Sequence, residues 1–410
     1  MVDKDLFLHD LAVVAIMKCE GHYLKEWLDY HLAAGVDHFY IYDNESPDNQ
    51  AEVAAPYVEA GLVDYFPWPG EAMQTVAYND ALKRFKFHCR YMAFIDGDEF
   101  ILPKSKRTIV EVVDEILSHN DKAAGLAIHW NAFDSNGQEK ADYSRPVLER
   151  FTRCSKIINP CIKTIANPRK IVFFKQNRVH TAGFFRGFFS VDENLNTVYN
   201  FKPTPATAEK IVINHYHCKS LEEYMLKIKR GDAVFPDREI RSLKKFYQVQ
   251  TNKGNYEDDI IKYRDARAKV YQPPKPRSAD DLIKVLEKNL PSDAPPDFYA
   301  GKMETFLACR AIASYLQTKL ADNKIAKFYE EVSLNAALKA FIASASMADR
   351  ELFIMELPTL LRLPYFARFQ LEYIREFFKG ATDFIKGQGN ILTQELKLIN
   401  RPTSFMSAKL

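Results

Sequence analysis

Apolar residues in the first hundred positions come in short unbroken runs, each closed by a polar turn and followed by an amphipathic stretch. Residues 11–17, from Leu11 through Val13 and Val14 to Met17, form the first run. A run without polar alternation predicts a central parallel strand covered on both faces. It ends at Lys18, Cys19, Glu20 and Gly21. Leu24, Trp27, Leu28 and Leu32 then recur at helical spacing, and Gly35 stands where a helix C-cap belongs. Residues 38–42 predict a second strand, broken at 43–49 by a stretch made almost wholly of turn formers. A helix follows, from the early fifties to Ala60. Residues 62–66 predict a third strand, ended by Pro67, Trp68, Pro69 and Gly70, and a helix over about 71–87 leads to a fourth strand before Asp96.

Strands alternating with helices predict the α/β class, with a mostly parallel, right-handed sheet flanked by helices. Ligands of such sheets sit at the carboxyl ends of the strands. Glu20, Asp43, Trp68 and Asp96 all lie just past those ends.

Beyond Asp98 the pattern predicts a helix over 108–119 and a strand over 125–130, then a polar loop at 131–138. Residues 140–200 are rich in basic and aromatic side chains, which reads as a phosphate-facing wall or a plain surface. A short strand at 211–214 precedes His215, Tyr216 and His217. Ser220 and Glu223 have the spacing of a capping box, opening a helix that carries Lys227, Lys229 and Arg230. Prolines at 273, 274, 276, 291, 295 and 296 mark 276–296 as a linker. The β pattern stops beyond it, so 1–275 reads as one domain and 297–410 as a C-terminal helical domain. There, Ile374, Phe377, Phe378, Ala381, Phe384 and Ile385 form an apolar stripe, suited to core packing or to an oligomer or peripheral membrane contact.

A formal charge of +2 over 410 residues gives no push towards nucleic acid. Six scattered cysteines with no Cys-x-x-Cys pair suit free thiols in a reducing compartment. No apolar run in the sequence is long enough to span a bilayer, which points to a cytoplasmic protein, membrane-peripheral at most. The strongest chemical signal is Asp96-Gly97-Asp98-Glu99-Phe100. Two carboxylates one residue apart after a strand can converge on one hard cation, with Gly97 permitting a tight bend between them. Such a cation clamps a diphosphate and stabilises its departing charge.

Ordered blocks of the chain resemble the family 92 glycosyltransferases, a galactan-synthase-like family of the Asp-x-Asp type within the wider GT-A group. They include Glu20, then Glu26 to Leu32, Gly35 to Asn44, Ser46, Asp48 and Asn49. Phe94 to Phe100, Glu149 to Phe151, Lys163 to Ile165, and His215 and Tyr216 followed by Lys219, Ser220, Glu223, Tyr224, Lys227 and Arg230 continue the match. The chain departs from the family pattern at Cys19 and in the loop Phe133 to Gln138, where an acceptor would sit.

The resemblance implies a GT-A-like fold and a metal-dependent, inverting transfer of a sugar. The donor is a nucleotide sugar, UDP-linked, and the acceptor a hydroxyl of a glycan or glycoconjugate. On that basis Asp96, Asp98 and His215 are the candidate ligands of Mn²⁺ or Mg²⁺. Glu20, Asp43, Asn44, Asp96 and Lys227 are candidates for the donor. Inversion needs a carboxylate base on the acceptor hydroxyl; Asp134, after the strand ending at Trp130, is the first candidate and Glu149 the second. Two other readings use the same residues. One is a non-catalytic glycan- or nucleotide-binding protein. The other is a phosphatase of the haloacid dehalogenase type, which wants its Asp-x-Asp after the first strand rather than the fourth.

Overall fold

A computed structural model describes residues 4–360, apart from 177, 232–240, 251–255, 258, 292–293, 322 and 345. The apolar stripe expected at 374–385 lies outside the described residues. The chain divides into two compact units, one holding residues up to 288 together with 318–320, the other the remainder.

The first unit opens as its pattern dictates. Strand β1 (His9–Met17), helix α1 (Gly21–Ala33), β2 (His38–Asp43), α2 (Gln50–Glu59), β3 (Val63–Pro67), α3 (Gln74–Phe85) and β4 (Cys89–Phe94) alternate in order. β1 pairs in parallel with β2 and β4, and β2 in parallel with β3. Alternation of side chains explains the unbroken apolar run. Leu11, Val13, Ala15 and Met17 pack with Leu24, Trp27 and Leu28 of α1, while Ala12 and Val14 pack with Ala77, Tyr78 and Ala81 of α3.

The sheet is mixed beyond β4, not parallel throughout. β5 (Glu99–Pro103), α4 (Ile109–Leu117), β6 (Ala123–Ala132), α5 (Val147–Arg150), β7 (Arg153–Cys154), β8 (Asn159–Ala166), β9 (Ile171–Phe173), β10 (Gly183–Phe184), β11 (Phe189–Val191), β12 (Thr197–Val198) and β13 (Ile211–His215) follow. The main sheet runs β12-β11-β6-β8-β4-β1-β2-β3, with β13 beside β6 and β5. β8 enters antiparallel between β4 and β6. β13 is parallel to β6, with His215 opposite Ala132. The ends of β4, β6 and β13 and the start of β8 therefore meet along one edge.

Two capping boxes fix helix starts, Thr108 with Glu111 on α4 and Ser220 with Glu223 on α6 (Leu221–Arg230). Glu223 is also a junction. It accepts from Arg150 at 2.8 and 3.0 Å and from Tyr23 Oη at 2.7 Å, tying α1, α5 and α6 together.

Helix α7 (Leu243–Gln250) and α8 (Ile260–Ala268) come next. The stretch 276–296, expected as a linker, contains helix α9 (Ala279–Asn289). Leu282, Val285 and Leu286 give it a buried stripe at helical spacing, and Ser278 Oγ accepts from the Asp281 amide. The prolines bound this helix rather than abolish it.

The described residues beyond the proline-bounded helix are mostly helical, as expected, with α10 (Met303–Lys319), α11 (Lys324–Ala343) and α12 (Met347–Leu360). Phe341 stacks on Phe353 at 4.5 Å between α11 and α12. Among the described residues no helix is long and apolar enough to cross a membrane.

Candidate functional site

A cleft of about 1420 Å³ opens along the edge where the strands end. Its floor is the turn after β4. Asp96, Gly97 and Asp98 line it together with Glu20, Asn44, His215, Lys227 and Arg230. Gly97 serves by its size rather than by a left-handed backbone. An added Cβ would stand 3.3 Å from Met17 Cε and 3.4 Å from Glu20 Cγ.

Each aspartate meets a lysine. Asp96 Oδ1 lies 2.9 Å from Lys163 Nζ and accepts from Gln74 Nε2 at 2.6 Å. Lys163 is fully buried on β8 and stands 3.7 Å from Glu99 as well. Burial pushes the Asp96 carboxyl up, but Lys163 and then His215 together bring the group below its ordinary value. Glu99 is held well above the carboxylate range by burial, against the pull of Lys163. Asp98 pairs through Oδ2 with the Lys227 ammonium, and its Oδ1 stands 3.5 Å from His215 Nε2. Burial would raise Asp98; Lys227 first, then His215, hold it well below the usual range.

Glu20 is buried at the start of α1. Arg230 at 2.8 Å and Lys219 at 3.5 Å hold its carboxyl below the ordinary value against burial. The residues just before the two helix starts, Cys19 at φ 56° and Lys219 at φ 51°, are left-handed without being glycine. Backbone strain of this kind persists only where surrounding contacts over-determine it. Two further histidines line the cleft. Burial lowers His217 to about 3, and burial with Lys163 lowers His180 to about 4.

The candidate residues from the sequence divide accordingly. Glu20, Asn44, Asp96, Asp98, His215 and Lys227 come together in the cleft. Asp43 and Trp68 do not line it. The Asp43 carboxylate is turned into its own loop, accepting from the Ser46 amide at 3.0 Å and from Gln50 Nε2 at 3.1 Å. Asn44 donates its amide to the Trp68 and Gly70 carbonyls, both at 2.8 Å.

The two base candidates are also elsewhere. Asp134 is buried, with Arg153 Nε 2.6 Å from Oδ2 and the Asn136 amide on Oδ1. Glu149 pairs with Arg264 at 3.2 Å. The loop 133–138 packs on Gln250 and Thr152 rather than facing the cleft. Sequence reasoning missed the Asp96 partners Lys163 and Gln74. Lys163 lay inside a recognised block, yet only its strand's antiparallel entry beside β4 brings it to Asp96.

Asp96, Asp98 and His215 converge as donors for a hard divalent cation should, two carboxylates and one imidazole. Among the described residues no three His, Cys, Asp or Glu side chains already stand in metal-holding arrangement. Lys227 occupies one Asp98 oxygen, and it is the more accessible of the two lysines.

The model for glycosyltransferase family 92 matches residues 18–251, more than half of the chain. A family 92 protein of Ricinus communis is 24% identical over 228 residues, covering 55% of this chain and 39% of that protein. One of Arabidopsis thaliana is 27% identical over 241 residues, covering 55% and 38%. The chain thus spans about two fifths of the length of these relatives. Among solved structures, S. aureus TarS 1-349 in complex with UDP shares 11% identity at a TM-score of 0.30, over 82% of this chain and 90% of that one. A glucosyl-3-phosphoglycerate synthase from Mycobacterium tuberculosis, in complex with Mn²⁺, UDP and glucosyl-3-phosphoglycerate, shares 17% at a TM-score of 0.21, over 32% and 45%. Overlap at that level leaves the family match to carry the identification.

Proposed function

The chain belongs to glycosyltransferase family 92, and we propose on that premise that it transfers a sugar from a UDP-linked donor to a hydroxyl of a glycan or glycoconjugate, with inversion and with Mn²⁺ or Mg²⁺. One observation carries the reading. The carboxylates of Asp96 and Asp98 face a single cleft together with His215, Lys227 and Arg230. Neither a surface turn nor a phosphatase motif after a first strand accounts for that set. In this reading residues 1–275 are the transferase domain with a GT-A arrangement, and 297–410 a separate helical unit.

Asp96, Asp98 and His215 hold the cation, which supplies charge stabilisation on the diphosphate. Lys163 fixes one oxygen of Asp96 and, being held between Asp96 and Glu99, keeps that side chain aimed. Lys227, released from Asp98, and Arg230 then offer positive charge to the diphosphate oxygens. Asn44 belongs to the wall that meets the nucleoside. The acceptor proton needs a different receiver from Asp134 and Glu149, which are bound up in ion pairs. Glu71 and His180 are proton acceptors that line the cleft.

A thermal-shift screen of nucleotide sugars, with and without Mn²⁺, tests the proposal, because a ligand that binds only the native state raises its melting temperature. The expected result is a UDP-selective, Mn²⁺-dependent rise and slow release of UDP from one donor. No shift with any nucleotide sugar, and no release, rejects it.

A further inference from the structure

A line of aromatic rings runs from the rim of the cleft to Asp98. Tyr199 is 85% exposed and Phe201 49%, and both line the cleft. Phe201 lies within 24° of the His180 plane, centroids 5.9 Å apart. His180 meets Trp130 edge-on at 5.2 Å, and Trp130 stands 4.4 Å from His215. His215 in turn faces Asp98. Isolated exposed apolar side chains need no explanation, but two large rings two residues apart on one wall of a deep cleft do.

Other lining residues are already accounted for. Glu20, Asn44, Lys227 and Arg230 are polar and charged, the chemistry of a nucleoside diphosphate. The residues around the rings have different chemistry, aromatic faces with Asn159, Thr181 and Asn200 beside them and the Lys202 ammonium 5.4 Å from the Phe201 ring centroid. A pyranose matches such a wall. Its axial C–H groups form an apolar face that lies flat on an aromatic ring, while its equatorial hydroxyls reach neighbouring amide and hydroxyl groups. Three such rings line the cleft, which offers room for a chain rather than a single sugar.

We propose that Tyr199, Phe201 and Trp130 form the acceptor subsites of the cleft, and that the acceptor is a pyranose oligosaccharide chain. Its terminal unit sits against Trp130, where its hydroxyl faces the floor, and the preceding units lie over Phe201 and Tyr199. The inference rests on the transferase reading of the cleft. It moves the acceptor from the 133–138 loop to the segment between β12 and β13.

The test uses the full chain and an array of defined short pyranose oligosaccharides, neutral and acidic, followed by calorimetry with UDP. The wild-type protein should retain one class of oligosaccharide. Tyr199→Ala/Phe201→Ala should weaken that binding by about tenfold or more, since two stacking contacts are removed. Tyr199→Phe/Phe201→Tyr, which keeps both rings, should retain it. Because both rings are exposed, melting temperature and UDP affinity should stay at wild-type values in each variant. Undiminished oligosaccharide binding in the alanine variant overturns the proposal. So does a wild-type protein that binds no pyranose oligosaccharide, whether or not it binds UDP. Retained oligosaccharide binding that the alanine variant loses, without any UDP affinity, upholds the ring subsites and rejects only the nucleotide donor.

Discussion

Lys163 Nζ lies 2.9 Å from Asp96 Oδ1, and the lysine side chain is wholly shut off from solvent. Phe94 pairs with Thr164 across the antiparallel β4 and β8, so Lys163 arrives just beyond the strand end, where the Asp-x-Asp turn begins. Removing it leaves the Asp96 carboxylate, its side chain 34% exposed, without its cation. Lys163→Met should cost about 1–3 kcal/mol of stability, the loss of a charged hydrogen bond whose partner is partly screened by solvent. Urea unfolding measures it. A loss below about 1 kcal/mol would mean that solvent or another cation already screens the pair.

Lys227 and a divalent cation compete for Asp98 in the proposed site. Lys227→Met should lower the Mn²⁺ concentration needed for half-maximal donor hydrolysis while weakening UDP affinity. His215→Ala and Asp98→Asn should raise that Mn²⁺ requirement. Mn²⁺ titrations of the three variants check the opposite signs. A higher Mn²⁺ requirement in Lys227→Met would place Lys227 outside the competition.

Asp134 and Glu149 are ion-paired in this fold, to Arg153 and Arg264, and neither lines the cleft. Asp134→Asn should lower stability through the Arg153 pair, by about 1–2 kcal/mol for a charged hydrogen bond. Neither it nor Glu149→Gln should change kcat by more than about twofold, the spread expected for a change remote from the chemistry. A loss of several orders of magnitude in kcat at unchanged melting temperature would restore either as the base.

Asp43→Ala should act through the loop rather than through a ligand contact. Losing the Ser46 and Gln50 hydrogen bonds should cost about 1–2 kcal/mol. UDP affinity, read by calorimetry below the melting transition, should fall only modestly. A large loss of UDP affinity with full stability would put the Asp43 carboxylate on the nucleoside.

Glu223 sets a pH dependence. Burial would raise its pKa, but Arg150, Ser220 and Tyr23 outweigh it and bring the carboxyl down to about 2 from an ordinary 4.5. A depressed acid contributes stability that is complete above its unfolded value and is lost as pH falls through its folded one. Wild-type stability should therefore drop between about pH 4.5 and 2 more steeply than that of Glu223→Gln. Parallel curves for the two proteins over that range would show that Glu223 is not the group responsible.

The sequence by itself determined the order of elements and the edge on which the site lies. A short unbroken apolar run closed by turn formers reads as a strand buried on both faces, and in parallel strands the polar residues just past such runs fall on one edge of the sheet. Glu20, Asn44, Asp96 and Asp98 were legible for that reason, and His215 and Lys227 from a strand end and a capped helix start. Periodicity says which face is buried and nothing about partners far along the chain. That Lys163 serves Asp96 depends on β8 entering antiparallel. That Asp134 and Glu149 are neutralised depends on Arg153 and Arg264, 19 and 115 residues away. Asp43, too, turned inward because a residue of the next helix, Gln50, reaches back to it. Which side chain of the same fold meets a strand-end carboxylate, and whether that carboxylate still lines the cleft as Asp96 and Asp98 do, is decided by tertiary contact alone.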